Sequence, residues 1–134
     1  MKFKPILILN GEPNSIFSEI LIKSINRVKI KNPIIIISSE KLFLKQLKKL
    51  NFKKKIRLLD HKNLKKYNLN NQSINIINID YKQKKAFEKI STKSKKFIEE
   101  SFKMAFKIIK KEKIIRFING PISKRYFLNK KHLG

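Results

Sequence analysis

Two four-residue apolar runs, Ile6-Leu7-Ile8-Leu9 and Ile34-Ile35-Ile36-Ile37, constrain this chain most. Neither alternates apolar with polar residues, so neither suits a sheet with one face in water; each fits a strand covered on both faces. Asn10-Gly11-Glu12-Pro13 closes the first run and Ser38-Ser39 the second. An amphipathic pattern follows each. Phe17, Ile20, Leu21, Ser24, Ile25 and Val28 recur at three- and four-residue spacing, with Glu19, Lys23 and Arg27 on other faces, which predicts a helix capped by Asn14 or Ser15. Phe43, Leu47 and Leu50 predict a second helix behind Ser38-Ser39. Strand, turn and helix repeated in this order imply an α/β fold: three layers, with a mainly parallel sheet between helices on both faces.

Further along, residues 56–59 predict a short third strand, and the Asn- and Lys-rich segment 60–72 reads as a surface loop. Ile74, Ile76, Ile77 and Ile79 suggest a strand near an edge, because Asn75 and Asn78 interrupt it. Residues 91–111 carry the clearest helical pattern, with Ile98, Phe102, Ala105 and Ile109 on one stripe and Phe97, Ser101, Met104 and Ile108 beside it.

The run Ile114-Ile115-Arg116-Phe117-Ile118 then reads as a buried strand, broken by Asn119-Gly120-Pro121. Pro121 suits the first turn of a helix, which would place Lys124 one turn in. The chain has only three glycines, Gly11, Gly120 and Gly134, so the first two mark turns that need unusual backbone angles or close approach. Ligands of open α/β sheets gather outside the carboxyl ends of strands, where a helix N-terminus attracts anions. Both glycine turns are therefore expected on one carboxyl edge, as candidate anion-binding turns.

Composition narrows the function. The 134 residues make one domain's worth of sequence. There are 34 basic and 9 acidic residues, a net charge of +25, which raises the question of a nucleic-acid partner. Thirty of the basic residues are Lys and four Arg. Lys, Asn and Ile have A/T-rich codons, so coding bias can produce this charge, and specific nucleic-acid contacts favour Arg. A solvated lysine surface is the reading adopted, with a small basic nucleic-acid-binding protein as the alternative. A structural remnant that dimerises through its helices is a third.

The chain has no cysteine, which excludes disulfides, thiolate catalysis and zinc–thiolate sites. The apolar run Ile6–Leu9 is too short for a signal-peptide core or a membrane span, so a cytoplasmic protein is expected. His61 and His132 have no companions at ligand spacing and read as loop histidines. Neither a Gly-x-Gly-x-x-Gly fingerprint nor a P-loop occurs, and no Ser-His-Asp set or carboxylate pair can be assembled.

The opening strand with Gly11-Glu12-Pro13, the long helix, and Ile118-Asn119-Gly120-Pro121-Ile122-Ser123-Lys124 together resemble the amino-terminal part of the 4-hydroxythreonine-4-phosphate dehydrogenases of pyridoxal phosphate biosynthesis. Those enzymes carry a Gly-Glu-Pro turn after the first strand and a Gly-Pro-x-x-Lys segment after a strand that follows a long helix. Their fold is similar to that of isocitrate and isopropylmalate dehydrogenases, which bind NAD without the usual glycine fingerprint. The resemblance implies that residues 1–134 are the amino-terminal α/β portion of a longer two-domain dehydrogenase. It further implies NAD and a divalent metal as cofactors, a small phosphorylated amino acid as substrate, and a homodimer as the full-length form. Gly11, Glu12, Pro13, Asn119, Gly120, Pro121 and Lys124 would shape the walls of the cleft. No catalytic residue is assigned. The metal-binding histidines and phosphate-holding residues are expected beyond residue 134, so the isolated chain is expected to be inactive.

Overall fold

The computed structural model describes residues 4–27, 29–114 and 116–123. Five strands and three helices follow in chain order. They are β1 (Ile6–Leu9), α1 (Ile16–Arg27), β2 (Ile34–Ser38), α2 (Glu40–Lys49), β3 (Ile56–Leu58), β4 (Ile74–Asn78), α3 (Lys95–Glu112) and β5 (Phe117–Asn119). The strands form one sheet in the order β3-β4-β2-β1-β5, and every neighbouring pair is parallel.

The unbroken apolar runs follow from burial on both faces. Leu7, Leu9, Ile35, Ile37 and Ile77 pack on one side with Phe97, Ile98, Ala105 and Ile108 of α3. Ile8, Ile36, Ile74 and Ile76 pack on the other with Leu21 and Ile22 of α1 and Phe43 and Leu47 of α2. Each such side chain contributes about 1.5–3 kcal/mol when fully buried. The expected three-layer α/β architecture is thus present, with α1 and α2 covering one face and α3 the other.

Helix starts follow the sequence as well. The Phe17 N–H donates to Ser15 Oγ (3.2 Å), and the Leu42 N–H to Ser39 Oγ (3.2 Å). The third helix begins later than residue 91. A tight 3₁₀ turn, Thr92–Ser94, precedes it and is held by the Lys93 N–H donating to Ser91 Oγ (3.2 Å).

The asparagines of β4 pin the strand and do not interrupt it. Asn75 is buried, and its Nδ2 donates to the carbonyls of Ile34 (3.0 Å) and Asn70 (2.8 Å). Asn78 Oδ1 accepts from the Glu40 N–H (2.9 Å). The strand lies one in from β3, which forms the edge.

Segment 60–72 is less of a surface loop than its composition suggests. It holds a 3₁₀ segment, His61–Lys66, whose Leu64 is buried, while Tyr67 and Leu69 pack on the same core. Tyr67 Oη accepts from the Asp60 N–H (2.8 Å). The helix expected to open at Pro121 does not: residues 121–123 are irregular backbone. Lys124, His132 and Gly134 lie outside the described residues.

His61 makes stability depend on pH. Partial burial, reinforced by the charge of Lys107, holds its pKa below the ordinary 6.5. The unfolded chain therefore binds the proton more readily, and His61's contribution is complete above 6.5 and lost as pH falls through the lower folded value. Asp60 acts in the same direction further down: hydrogen bonds from Asn63 and the Lys62 N–H hold it below 3.8. Urea midpoints measured between about pH 8 and pH 5 should decline on acidification, and His61→Gln should flatten that decline.

Candidate functional site

The two glycine turns leave the sheet side by side, because β1 and β5 are neighbours and Leu9 pairs with Asn119. The Gly120 N–H donates to the Leu9 carbonyl (2.7 Å), and the Glu12 N–H to the Pro121 carbonyl (2.9 Å). Gly11 has φ +77°, and a Cβ there would lie 2.7 Å from the Pro121 carbonyl oxygen. A Cβ on Gly120 would collide with the Asn10 carbonyl and lie 2.8 Å from Phe17 Cδ2. Each turn is therefore glycine because the other turn occupies the space a side chain would need.

This contact revises the expectation of anion-binding turns. The N–H groups of Gly120 and Glu12 are engaged across the seam, those of Asn14 and Ser15 bond to Glu12, and Pro13 has none. No helix opens at Pro121 to add a dipole.

Glu12 sits beneath the seam, 2% exposed. Its Oε2 accepts from the Ser94 hydroxyl (2.7 Å) and its Oε1 from the Asn14 N–H (3.3 Å). The ion pairs among the described residues, Lys23–Glu19 and Lys96–Glu100, do not include it. A buried carboxylate without a cation must be offset by hydrogen bonds and favourable dipoles. Ser94 immediately precedes α3, whose first turn carries no acidic residue, so Glu12 supplies negative charge at the helix's positive end.

A polar network surrounds this carboxylate. Asn10 Nδ2 donates to Ser38 Oγ (3.3 Å), and the Ser18 hydroxyl lies 3.3 Å from both Asn10 Oδ1 and the Pro13 carbonyl. Gln46 Nε2 donates to the carbonyls of Pro13 (2.8 Å) and Ala86 (3.0 Å). Asn14 and Gln83 exchange amide hydrogen bonds of 2.9 and 2.8 Å. Beyond them lies Tyr81, whose phenol is held above its ordinary pKa of 10.0 by burial and then by the charges of Glu12 and Glu88.

Of the residues singled out in sequence, Gly11, Glu12, Pro13 and Gly120 are buried in this seam, while Asn119 and Pro121 are exposed beside it. Ser18, Gln46, Gln83 and Ser94 carry no motif and were not foreseen, while Asn10 and Asn14 were expected only as a turn residue and a candidate helix cap. Among the described residues, no three His, Cys, Asp or Glu side chains converge, and both Glu12 oxygens are already bonded. These residues do not fit a metal centre. Engaged N–H groups above a buried carboxylate do not fit a pyrophosphate either.

No family model and no curated protein sequence matches the chain. Solved structures do. A 4-hydroxythreonine-4-phosphate dehydrogenase from Klebsiella pneumoniae superposes with a TM-score of 0.81 at 16% identity, covering 99% of this chain and 41% of its own. One from Burkholderia phymatum gives 0.74 at 16% identity, covering 94% and 38%. A Salmonella typhimurium chain, named provisionally for the same activity, gives 0.78 at 17% identity, covering 93% and 39%. The chain has the fold of these dehydrogenases. It spans 38–41% of their lengths.

Substitutions at two positions test the seam. Gly120→Ala should destabilise the fold by more than about 3 kcal/mol or prevent folding, because the obstruction is backbone and cannot rotate away. Glu12→Ala, which leaves the Ser94 hydroxyl and the Asn14 N–H without their acceptor, should cost about 2–3 kcal/mol, and Glu12→Gln about half as much. Urea unfolding monitored by circular dichroism measures both.

Proposed function

We propose that this chain is the amino-terminal α/β portion of an NAD-dependent dehydrogenase that oxidises and decarboxylates 4-phosphooxy-L-threonine in vitamin B6 biosynthesis. The observation that carries this reading is the likeness of fold over 99% of the chain to a 4-hydroxythreonine-4-phosphate dehydrogenase. The Gly-Glu-Pro and Gly-Pro turns support it, since the two motifs behind the sequence resemblance meet at one sheet edge.

On this reading the chain supplies one rigid wall of a cleft. Its part is positional: the seam fixes where Asn119 and Pro121 emerge, and the Glu12 network locks that edge onto α3. A divalent metal, when bound, would polarise the developing carbonyl and steady the charge left as carbon dioxide departs. Its ligands, and the groups that hold NAD and the substrate phosphate, would come from residues beyond 134. The working enzyme would be a homodimer in the cytoplasm. Among the described residues, no helix is long and apolar enough to cross a membrane.

The test is NADH formation from 4-phosphooxy-L-threonine with a divalent metal, measured for the 134-residue chain and for the product of the gene read past codon 134. The longer product should be active and metal-dependent, and the 134-residue chain inactive. Turnover by the 134-residue chain alone, or an inactive longer product without a histidine metal site, would overturn the reading.

A further inference from the structure

The two lateral edges of the sheet differ in kind. At β3, Lys53, Lys54 and Lys55 lead into the strand and Arg57 lies within it, its guanidinium donating to the Asn68 carbonyl (3.0 Å), so charge guards that side against pairing. The β5 edge has no such guard. Residues 117–123 carry no charge. The Leu7 N–H donates to the Arg116 carbonyl (3.1 Å) and the Gly120 N–H to the Leu9 carbonyl (2.7 Å), so Arg116, Ile118 and Gly120 turn their backbone toward β1. Alternation then aims the N–H and C=O groups of Phe117 and Asn119 outward, and no described residue bonds them.

Apolar side chains flank these groups on both faces of the sheet. Phe106, 59% exposed, lies 6.3 Å from the Phe117 ring on the α3 face, and Ile118, 48% exposed, shares the other face with its neighbour Ile8. Ile16 and Ile20 add to that second face: both are exposed on α1, on the turns that bracket Phe17, whose ring borders Gly120. Buried between two copies, these four side chains and the strand backbone amount to roughly 1,000 Å², the lower bound of a specific interface and the range of weak dimers. The edge is also complementary to itself. When two copies meet antiparallel about a two-fold axis through Ile118, Phe117 of each exchanges both backbone hydrogen bonds with Asn119 of the other, and the two Ile118 side chains stand opposite. This register alone pairs all four outward residues with one another. We infer that two copies of this chain associate through β5 and join their sheets into one. The net charge of +25 on each copy opposes the approach, but salt screens that repulsion beyond about 8 Å at physiological strength and leaves the apolar contact intact. The inference concerns the 134-residue chain itself and does not depend on the dehydrogenase reading, under which the added chain would compete for the same edge.

Sedimentation equilibrium of the full chain, from micromolar to about 0.2 mM, measures the association. Raising NaCl from about 0.05 to 0.5 M should tighten the dimer several-fold, the reverse of a charge-driven contact. Ile118→Lys sets like charges face to face and should weaken it about tenfold or more, whereas Leu58→Lys, at an exposed position on the opposite edge, should change it by less than about twofold. Similar melting temperatures show that both variants fold. A second variant reads the register directly. The chain has no cysteine, and residues opposite each other in such a pair stand about 4.5 Å apart at Cα, within disulfide reach. In a glutathione redox buffer the Ile118→Cys chain should therefore cross-link about tenfold or more faster than the Leu58→Cys chain. A monomer over the whole concentration range, equal losses in the two Lys variants, or equal cross-linking rates would overturn the inference. So would a full chain that associates only once residues 124–134 are removed, because its own tail would then be what covers the edge.

Discussion

At the carboxyl edge two stretches of backbone approach so closely that neither can carry a side chain, and the order of the sheet depends on that approach. A Cβ on Gly11 would run into the Gly120 and Pro121 backbone, and one on Gly120 into the Asn10 carbonyl. The contact holds β5 against β1, although α3 and all of β4 precede β5 in the chain. To reach that position from β4 the chain must pass over β2 and β1, and α3 makes the passage while packing on both strands. Parallel neighbours can be joined only through such a crossover. The seam therefore fixes a strand, and through it the helix that covers one whole face.

Glu12 completes the connection by a route that the chain's charge does not suggest. In a protein with thirty lysines, its buried carboxylate is held by a hydroxyl and a backbone N–H. An ammonium would have to be dehydrated to reach it, and the Coulomb gain does not reliably exceed that penalty. Ser94 needs little dehydration and stands at the start of α3, so one short bond joins the β1 turn to the helix whose crossover brings β5 home.

Local patterns were legible in the sequence because each carries its own cause. The runs at Ile6 and Ile34 are unbroken because both faces are covered, and Ser15 and Ser39 cap because their side chains reach the first free N–H groups. The shared edge of Gly11 and Gly120 also followed from strand-turn order. What depended on distant partners could not be read. Asn14 and Gln83, 69 positions apart, look like any other polar residues in an Asn-rich chain. Asn75 looked like an interruption because its two carbonyl partners belong to other segments. Leu64, Tyr67 and Leu69 were hidden in a lysine-rich stretch whose average is polar while three of its side chains reach the core.

The state of the polar groups at this edge bears on what the chain contributes to chemistry. A group that binds and releases substrate must exchange partners with water or ligand during each turnover. Around Glu12 the opposite holds, since the carboxylate, the Ser94 hydroxyl and the paired amides of Asn14 and Gln83 already bond one another, most of them away from solvent. Opening such a network would expose unpaired groups at about 1–3 kcal/mol each, a cost incurred on every cycle. A dehydrogenase containing this domain would therefore recruit its acid, base and metal ligands elsewhere and use this edge for its rigidity.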